Sequence, residues 1–219
     1  MWCVGKIDNE YIERMEDILD LYEKSLNSKE PVVCLDEKPV QLLEEARSSI
    51  PAAPFRVTRK DYEYRRRGTA NVFCAVEPKA GRHFTRVTPN RKGPAFARMI
   101  RRLYRAYRSA KKIHLVVDNL STHTAKSLTG TFGSREGMRI WNKFQVHHTP
   151  KHGSWLNQAE IEISLFSREA LGSDRVGDLS ALRRRASAWN KRANRKKRKI
   201  SWTFTKRKAR KKMKYAIRA

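Results

Sequence analysis

Cysteine is scarce. Cys3, Cys34 and Cys74 are the only three, far apart and without a CxxC pair. That spacing excludes a disulfide framework and a cysteine-built zinc knuckle, and leaves reduced, mostly buried thiols as the expectation. No apolar run approaches the roughly 18–20 residues that a membrane-spanning helix needs, and no basic stretch followed by an apolar one opens the chain. A soluble, unsecreted protein is expected. Acidic residues are missing where they would matter most: from Leu179 to Ala219 there are 18 Lys/Arg and no Asp or Glu.

What is present is positive charge, 49 Lys/Arg against 22 Asp/Glu, for a formal net charge of +27. Such a balance calls for a polyanionic partner, with nucleic acid first and an anionic membrane surface as the competitor. The apolar fraction of 39% is low for a globular protein but too high for wholesale disorder, and 219 residues suffice for one domain with a core. The charge is also sided. Residues 1–50 hold 6 basic and 12 acidic side chains, and the remainder 43 and 10. A field of that shape orients a polyanion on approach.

Periodicity gives the element order. NEYIERMEDILDLYEKSL has apolar positions at helical spacing with an acidic outer face. PVVCLDEKP, bounded by Pro31 and Pro39, reads as a buried strand ending at Asp36. YEYRRRGTANVFCAVEP and GRHFTRVTP read as an antiparallel hairpin, GPAFARMIRRLYRAYRSAKK as a second amphipathic helix, and IHLVVDN as a second buried strand ending in Asp118. STHTAKSL and SREGMRIWNKF predict short helices, FQVHHTP a strand, and Trp155 to Leu171 one continuous helix. A long basic helix and a final strand-like turn with a short helix complete an α/β layout with a mixed sheet. The expected division is an N-terminal helix (1–30) packing on the core, a central domain (31–172) and a basic helical C-terminal extension (173–219).

VVCLD and HLVVD end alike, and ligand sites in open α/β sheets form beyond the carboxyl ends of strands. If the two strands are parallel neighbours, Asp36 and Asp118 lie side by side and repel unless a cation neutralises them. Hard oxygen donors suit Mg²⁺ or Mn²⁺. The third carboxylate is Glu160, at the edge of a core-facing stripe of Leu156, Ala159, Ile163, Phe166 and Ala170, among short neutral neighbours. Glu162 and Glu169 fall on the opposite edge and read as surface acids. Three carboxylates holding two ions about 3.5–4 Å apart would activate a water or 3′ hydroxyl and stabilise the leaving oxygen of a phosphodiester. Crowded carboxylates also imply that Asp118→Asn should raise the melting temperature of the metal-free protein.

CLDEKP, VVDNLSTH and HTPKHGSWLNQAEI resemble the three signature blocks of DDE-type transposases, in the bacterial insertion-sequence branch of the mariner-like superfamily. The resemblance runs from about Val4 to the C-terminus. It implies a ribonuclease-H-like mixed sheet flanked by helices, two divalent ions (Mg²⁺ or Mn²⁺), and a triad falling on Asp36, Asp118 and Glu160, with 41 residues between the last two. It further implies DNA cleavage and strand transfer on transposon ends and target DNA, with no membrane role, in a bacterial cytoplasm at the nucleoid. A homodimer is left open. Relatives carry N-terminal helix-turn-helix modules and this chain begins at MWCVGK, so an N-terminally truncated catalytic part is the expectation. Relatives also often have Tyr where His148 stands.

Around the triad, Asn119, His123, His152 and Asn157 are the expected nucleic-acid contacts, with Asn157 one helical turn before Glu160 and His123 alternatively orienting Asn119. His114, His123, His147, His148 and His152 have no helical HxxxH context and read as ordinary strand and loop histidines rather than zinc ligands. Trp155 reads as a core anchor. The basic C-terminus contributes salt-sensitive, sequence-independent affinity. Two other functions fit the same sequence: a catalytically silent DNA-binding relic, and a ribonuclease-H-like nuclease or resolvase.

Overall fold

The computed structural model describes residues 7–47, 50–59 and 61–215. Cys3 and the MWCVGK start lie outside them; Cys34 and Cys74 are buried and free, as their spacing implied. The first helix, α1 (Asn9–Glu23), begins where the Asp8 carboxylate accepts the Tyr11 N–H at 2.8 Å, the usual satisfaction of an orphan helix donor. Strands β1 (Val32–Glu45), β2 (Tyr64–Glu77) and β3 (Arg82–Thr88) follow, then α2 (Gly93–Ala106) and β4 (Ile113–Val117). After α3 (Ala125–Phe132), α4 (Ser134–Trp141) and β5 (Phe144–His148) come α5 (Ala159–Phe166), α6 (Leu179–Lys196) and α7 (Lys206–Met213).

The five strands form one mixed sheet in the order β3-β2-β1-β4-β5. β1, β2 and β3 pair antiparallel, whereas β1–β4 and β4–β5 are parallel. Strand alternation divides the core in two. Val33, Leu35, Phe73, Ala75, Ile113, Leu115 and Val117 pack on one face with α2, α3 and α4. Cys34, Val76 and Val116 pack on the other with α1, α5 and α7, and Val40, Val72 and Cys74 with α6. Both faces are covered, which is why the central strands read as near-continuous apolar runs.

β1 does not stop at Asp36. It continues through Pro39 to Glu45 along β2, with a bulge between Gln41 and Leu43. Pro39 falls where β1 has lost its second neighbour, since the β4 ladder ends at Cys34, so no bond on that side is missing. The β2–β3 turn needs Gly81: its φ is +65°, and a Cβ there would collide with the Lys197 carbonyl at the end of α6.

The predicted 155–171 helix is broken. Ser154–Leu156 form a 3₁₀ turn, Asn157 is extended, α5 starts at Ala159, and Ser167–Leu171 continue as a π turn. Trp155 is partly buried, edge-on to Phe204 at 5.3 Å. The basic C-terminal segment is folded onto the sheet: Leu182, Ala186, Trp189 and Ala193 of α6 are buried, and Arg210 of α7 forks onto Glu16 of α1 at 2.8 and 2.9 Å.

Candidate active site

The β1–β4 register decides where the carboxylates go. Cys34 pairs with Val116, so Asp36 and Asp118 stand at equivalent positions two residues further on, where the parallel ladder has ended. Asp36 shares the sheet face of Cys34, toward α5, and Glu37 shares that of Leu35, toward α2. Adjacent acids in the sequence thus serve opposite sides of the sheet.

Asn157 fixes the third element. Its buried side chain donates to the Leu35 carbonyl at 2.9 Å and accepts the Ala159 N–H at 3.1 Å, so it satisfies the first N–H of α5 while tying the helix to β1 beside Asp36. Its backbone carbonyl accepts the Glu160 N–H at 3.0 Å. Glu160 therefore sits half-buried in the first turn of α5, where the helix dipole favours negative charge. Among the described residues its carboxylate has no hydrogen-bond or ion-pair partner.

Crowding falls on Asp36. Burial raises its carboxyl to about 7, with the charges of Glu160, Glu37 and Asp118 adding to the rise against the bond from the Glu37 N–H. Asp118 moves the other way. The His123 ring holds it below its ordinary value, helped by the Leu120 N–H and the Arg91 charge. The sequence-based expectation that Asp118→Asn relieves repulsion is therefore corrected: Asp36 is the strained member.

His123 lies on the inside. Its ring is buried, stacked on Phe96 at 4.5 Å, with Nδ1 bonded to Asp118 Oδ1 and Nε2 to Glu37 Oε1, each at 2.8 Å. Burial disfavours its charged form, but the two carboxylates outweigh it and raise its pKa to about 9. Both nitrogens donate, so the ring is an imidazolium clamped between acids. Neither it nor Asn157, which is 1% exposed, reaches DNA as the sequence suggested. Sequence reading missed Glu37. The signal was the DE pair itself, because strand alternation must send the second acid to the opposite face, where it needs a buried partner.

Glu37, Asp118 and His123 have ligating atoms close enough to hold a metal ion. Hydrogen bonds already account for that grouping, since both His123 nitrogens are used and no lone pair faces an ion. Removing the clamp leaves Glu37 buried and unpaired, so His123→Ala is expected to lower the melting temperature by about 6–20 °C. With a folded pKa raised from 6.5 to about 9, the clamp stabilises fully below 6.5 and is lost as pH rises through 9. Melts between pH 6 and 10 should show that decline in the parent chain and not in the variant.

Other expected residues are placed as follows. Asn119 donates to the Thr149 carbonyl at 2.7 Å and accepts from Arg14 at 2.9 Å, and exposed His152 lines the same surface cleft. His148 Nδ1 lies 3.2 Å from the Asp118 carbonyl. Glu162 is not a surface acid: it is fully buried with its Oε1 2.7 Å from His83 Nδ1, while Ile163 beside it is partly buried against the core. Glu169 is more exposed and binds Trp189 and Arg198. No helix among the described residues is long and apolar enough to cross a membrane.

No curated protein matches the chain in sequence. Its fold is similar to the Mos1 mariner paired-end complex with Mn, at 14% identity over 88% of this chain and 58% of that one, with a TM-score of 0.56. The Mos1 transposase paired-end complex with the left transposon end gives 14%, 90%, 62% and 0.55, and the Mos1 strand transfer complex 14%, 87%, 57% and 0.55. The fold is thus ribonuclease-H-like, and the chain spans about three-fifths of the length of these structures. The family model for the DDE superfamily endonuclease matches residues 31–183, more than half of the sequence, and on that match this chain belongs to the DDE superfamily endonucleases.

Proposed function

We propose that the chain is the catalytic part of a transposase that cleaves and joins DNA with divalent ions held by Asp36, Asp118 and Glu160. The observation that carries this reading is the β1–β4 register, which stands Asp36 level with Asp118 beyond the end of the parallel ladder, while Asn157 ties the first turn of α5, and with it Glu160, to β1. Asp36, Asp118 and Glu160 are hard-oxygen donors of the kind that hold Mg²⁺ or Mn²⁺. An ion would have to draw them closer, since the ligand atoms within 4.8 Å of one another among the described residues are those of Glu37, Asp118 and His123. A pair of such ions, when bound, supplies Lewis-acid activation of a water or 3′ hydroxyl and stabilises the leaving oxygen.

The chain's own residues prepare that chemistry. His123 and the Leu120 N–H fix the Asp118 carboxylate through Oδ1, leaving Oδ2 directed elsewhere. Asn157 sets the depth of α5, and with it Glu160, against Asp36. Asn119 and His152, on the cleft beside Asp118, are proposed contacts for the substrate backbone.

DNA is the proposed partner, as transposon ends and target, because the solved relatives are described as paired-end and strand-transfer complexes. A two-chain assembly on paired ends, a bacterial insertion-sequence origin and a place at the cytoplasmic nucleoid belong to the same proposal. The test is incubation of the purified chain with supercoiled and linear DNA in Mn²⁺, with and without chelator. Metal-dependent nicks or joined products are expected. Duplex binding that leaves the DNA intact at every metal concentration would favour the silent relic instead.

A further inference from the structure

Between Glu77 and Asp118 lie 40 residues with 12 Lys/Arg and no acid. They form β3, α2 and β4, and the neighbouring α6 is also without acid. Positive charge this dense has to be directed somewhere.

The side chains converge at the β3 edge of the sheet. On β3, Phe84 faces α2 while Thr85 and Val87 face α6, so Arg86 lies on the α2 side. α2 buries Phe96, Met99, Ile100 and Leu103 and turns Arg98 and Arg101, three residues apart, away from that stripe. Arg101 is held over the Phe132 ring at 4.3 Å. Exposed Arg183 comes from the first turns of α6, which lies against β3. Arg86 Nε is buried without a hydrogen-bond partner, and the charges that bear on Arg86 are those of Arg98, Arg101 and Arg183. None of the four forms an ion pair among the described residues. Repulsion of this kind is tolerated where an anion completes the arrangement.

The cluster lies two strands from β1, on the α2 side of the sheet that Glu37 shares and Asp36 does not. Arg86 pairs with Phe73, and Phe73 with Glu37. Two strand spacings put Arg86 about 10 Å from the Glu37 backbone. Arg91, whose charge acts on Asp118, stands between Arg86 and Arg98 in the chain. Guanidinium forks suit phosphate oxygens, and a row of them along the β3 edge matches a nucleic-acid backbone better than a single small anion.

We propose that Arg86, Arg98, Arg101 and Arg183 form a phosphate track that grips the DNA backbone along the β3 edge of the sheet. This rests on the reading of the chain as a DNA-cleaving enzyme. Contacts of this type fix register and contribute no base specificity.

The test is fluorescence anisotropy of the full chain with a random-sequence duplex in chelator, across a salt series, so that binding is read without chemistry. The triple variant Arg86→Gln, Arg98→Gln and Arg183→Gln should bind about 10–100-fold more weakly, and its log–log salt slope should be shallower by about 3. Mn²⁺ uptake by calorimetry should be unchanged. The double variant Arg98→Gln and Arg183→Gln, both exposed, guards against misfolding and should lose about 2 from the slope. Parent protein that binds duplex while both variants bind with the same slope would overturn the track and leave the parent reading standing. Parent protein that fails to bind duplex would overturn both. Loss of binding to anionic vesicles, with DNA affinity intact, would reassign the arginines to a membrane surface and overturn the proposal.

Discussion

Asp118→Asn is expected to slow DNA cleavage by about 10³-fold or more while leaving the fold intact. The amide keeps an oxygen that accepts from His123 and the Leu120 N–H, the two bonds that position Asp118. What it loses is a full negative charge at the mouth of the site, and with it a ligand for a hard cation. Because His123 stabilises the charged form of Asp118, the metal-free variant should melt at or below the temperature of the parent chain, not above it. Single-turnover cleavage in Mn²⁺ alongside a thermal melt separates these effects. A variant that cuts within threefold of the parent would remove Asp118 from the chemistry.

Divalent-ion affinity should fall about tenfold for each pH unit below 7 and level off above it. The cause is Asp36, whose carboxyl at about 7 keeps a proton that an incoming cation must displace. The same shift has a signature in stability. A carboxyl raised in the folded state above its ordinary 3.8 favours folding most at low pH, and that contribution is lost as pH rises from 3.8 through about 7. At pH 8, Asp36→Asn should therefore raise the melting temperature of the metal-free chain by about 3–6 °C, and it should flatten the pH dependence of what Mn²⁺ binding remains. Calorimetric titrations at pH 5, 6, 7 and 8 read the first effect directly. An affinity independent of pH across that range would mean that Asp36 is not a ligand.

The parts of this arrangement that were legible in the sequence are those set by local pattern. VVCLD and HLVVD read as buried strands ending in an acid, and the structure supplies the parallel pairing that the two-aspartate reading was conditional on. The β2–β3 hairpin and the α2 stripe follow from period and turn chemistry in the same way. Contacts made across long separations were not legible. Glu162 looks like a surface acid on any helical wheel, and only the approach of His83, 79 residues away, gives it a buried partner. Asn157 breaks the expected helix because its side chain bonds a carbonyl 122 residues earlier, which outweighs the local preference for continuity. Pro39 ends a strand by propensity, but β1 runs past it because one side of the strand has no neighbour there. His123 was visible as a residue and invisible as a clamp, since its second acid, Glu37, is 86 residues upstream.

The shared cation site is tested most directly by diffraction from Mn²⁺-soaked crystals of the full chain, with anomalous differences locating the ion. The expected result is anomalous density bounded by the carboxylates of Asp36, Asp118 and Glu160, with His123 still bonded to Asp118 and Glu37. Density enclosed instead by Glu37, Asp118 and His123, or none near Asp36 at saturating Mn²⁺, would contradict it.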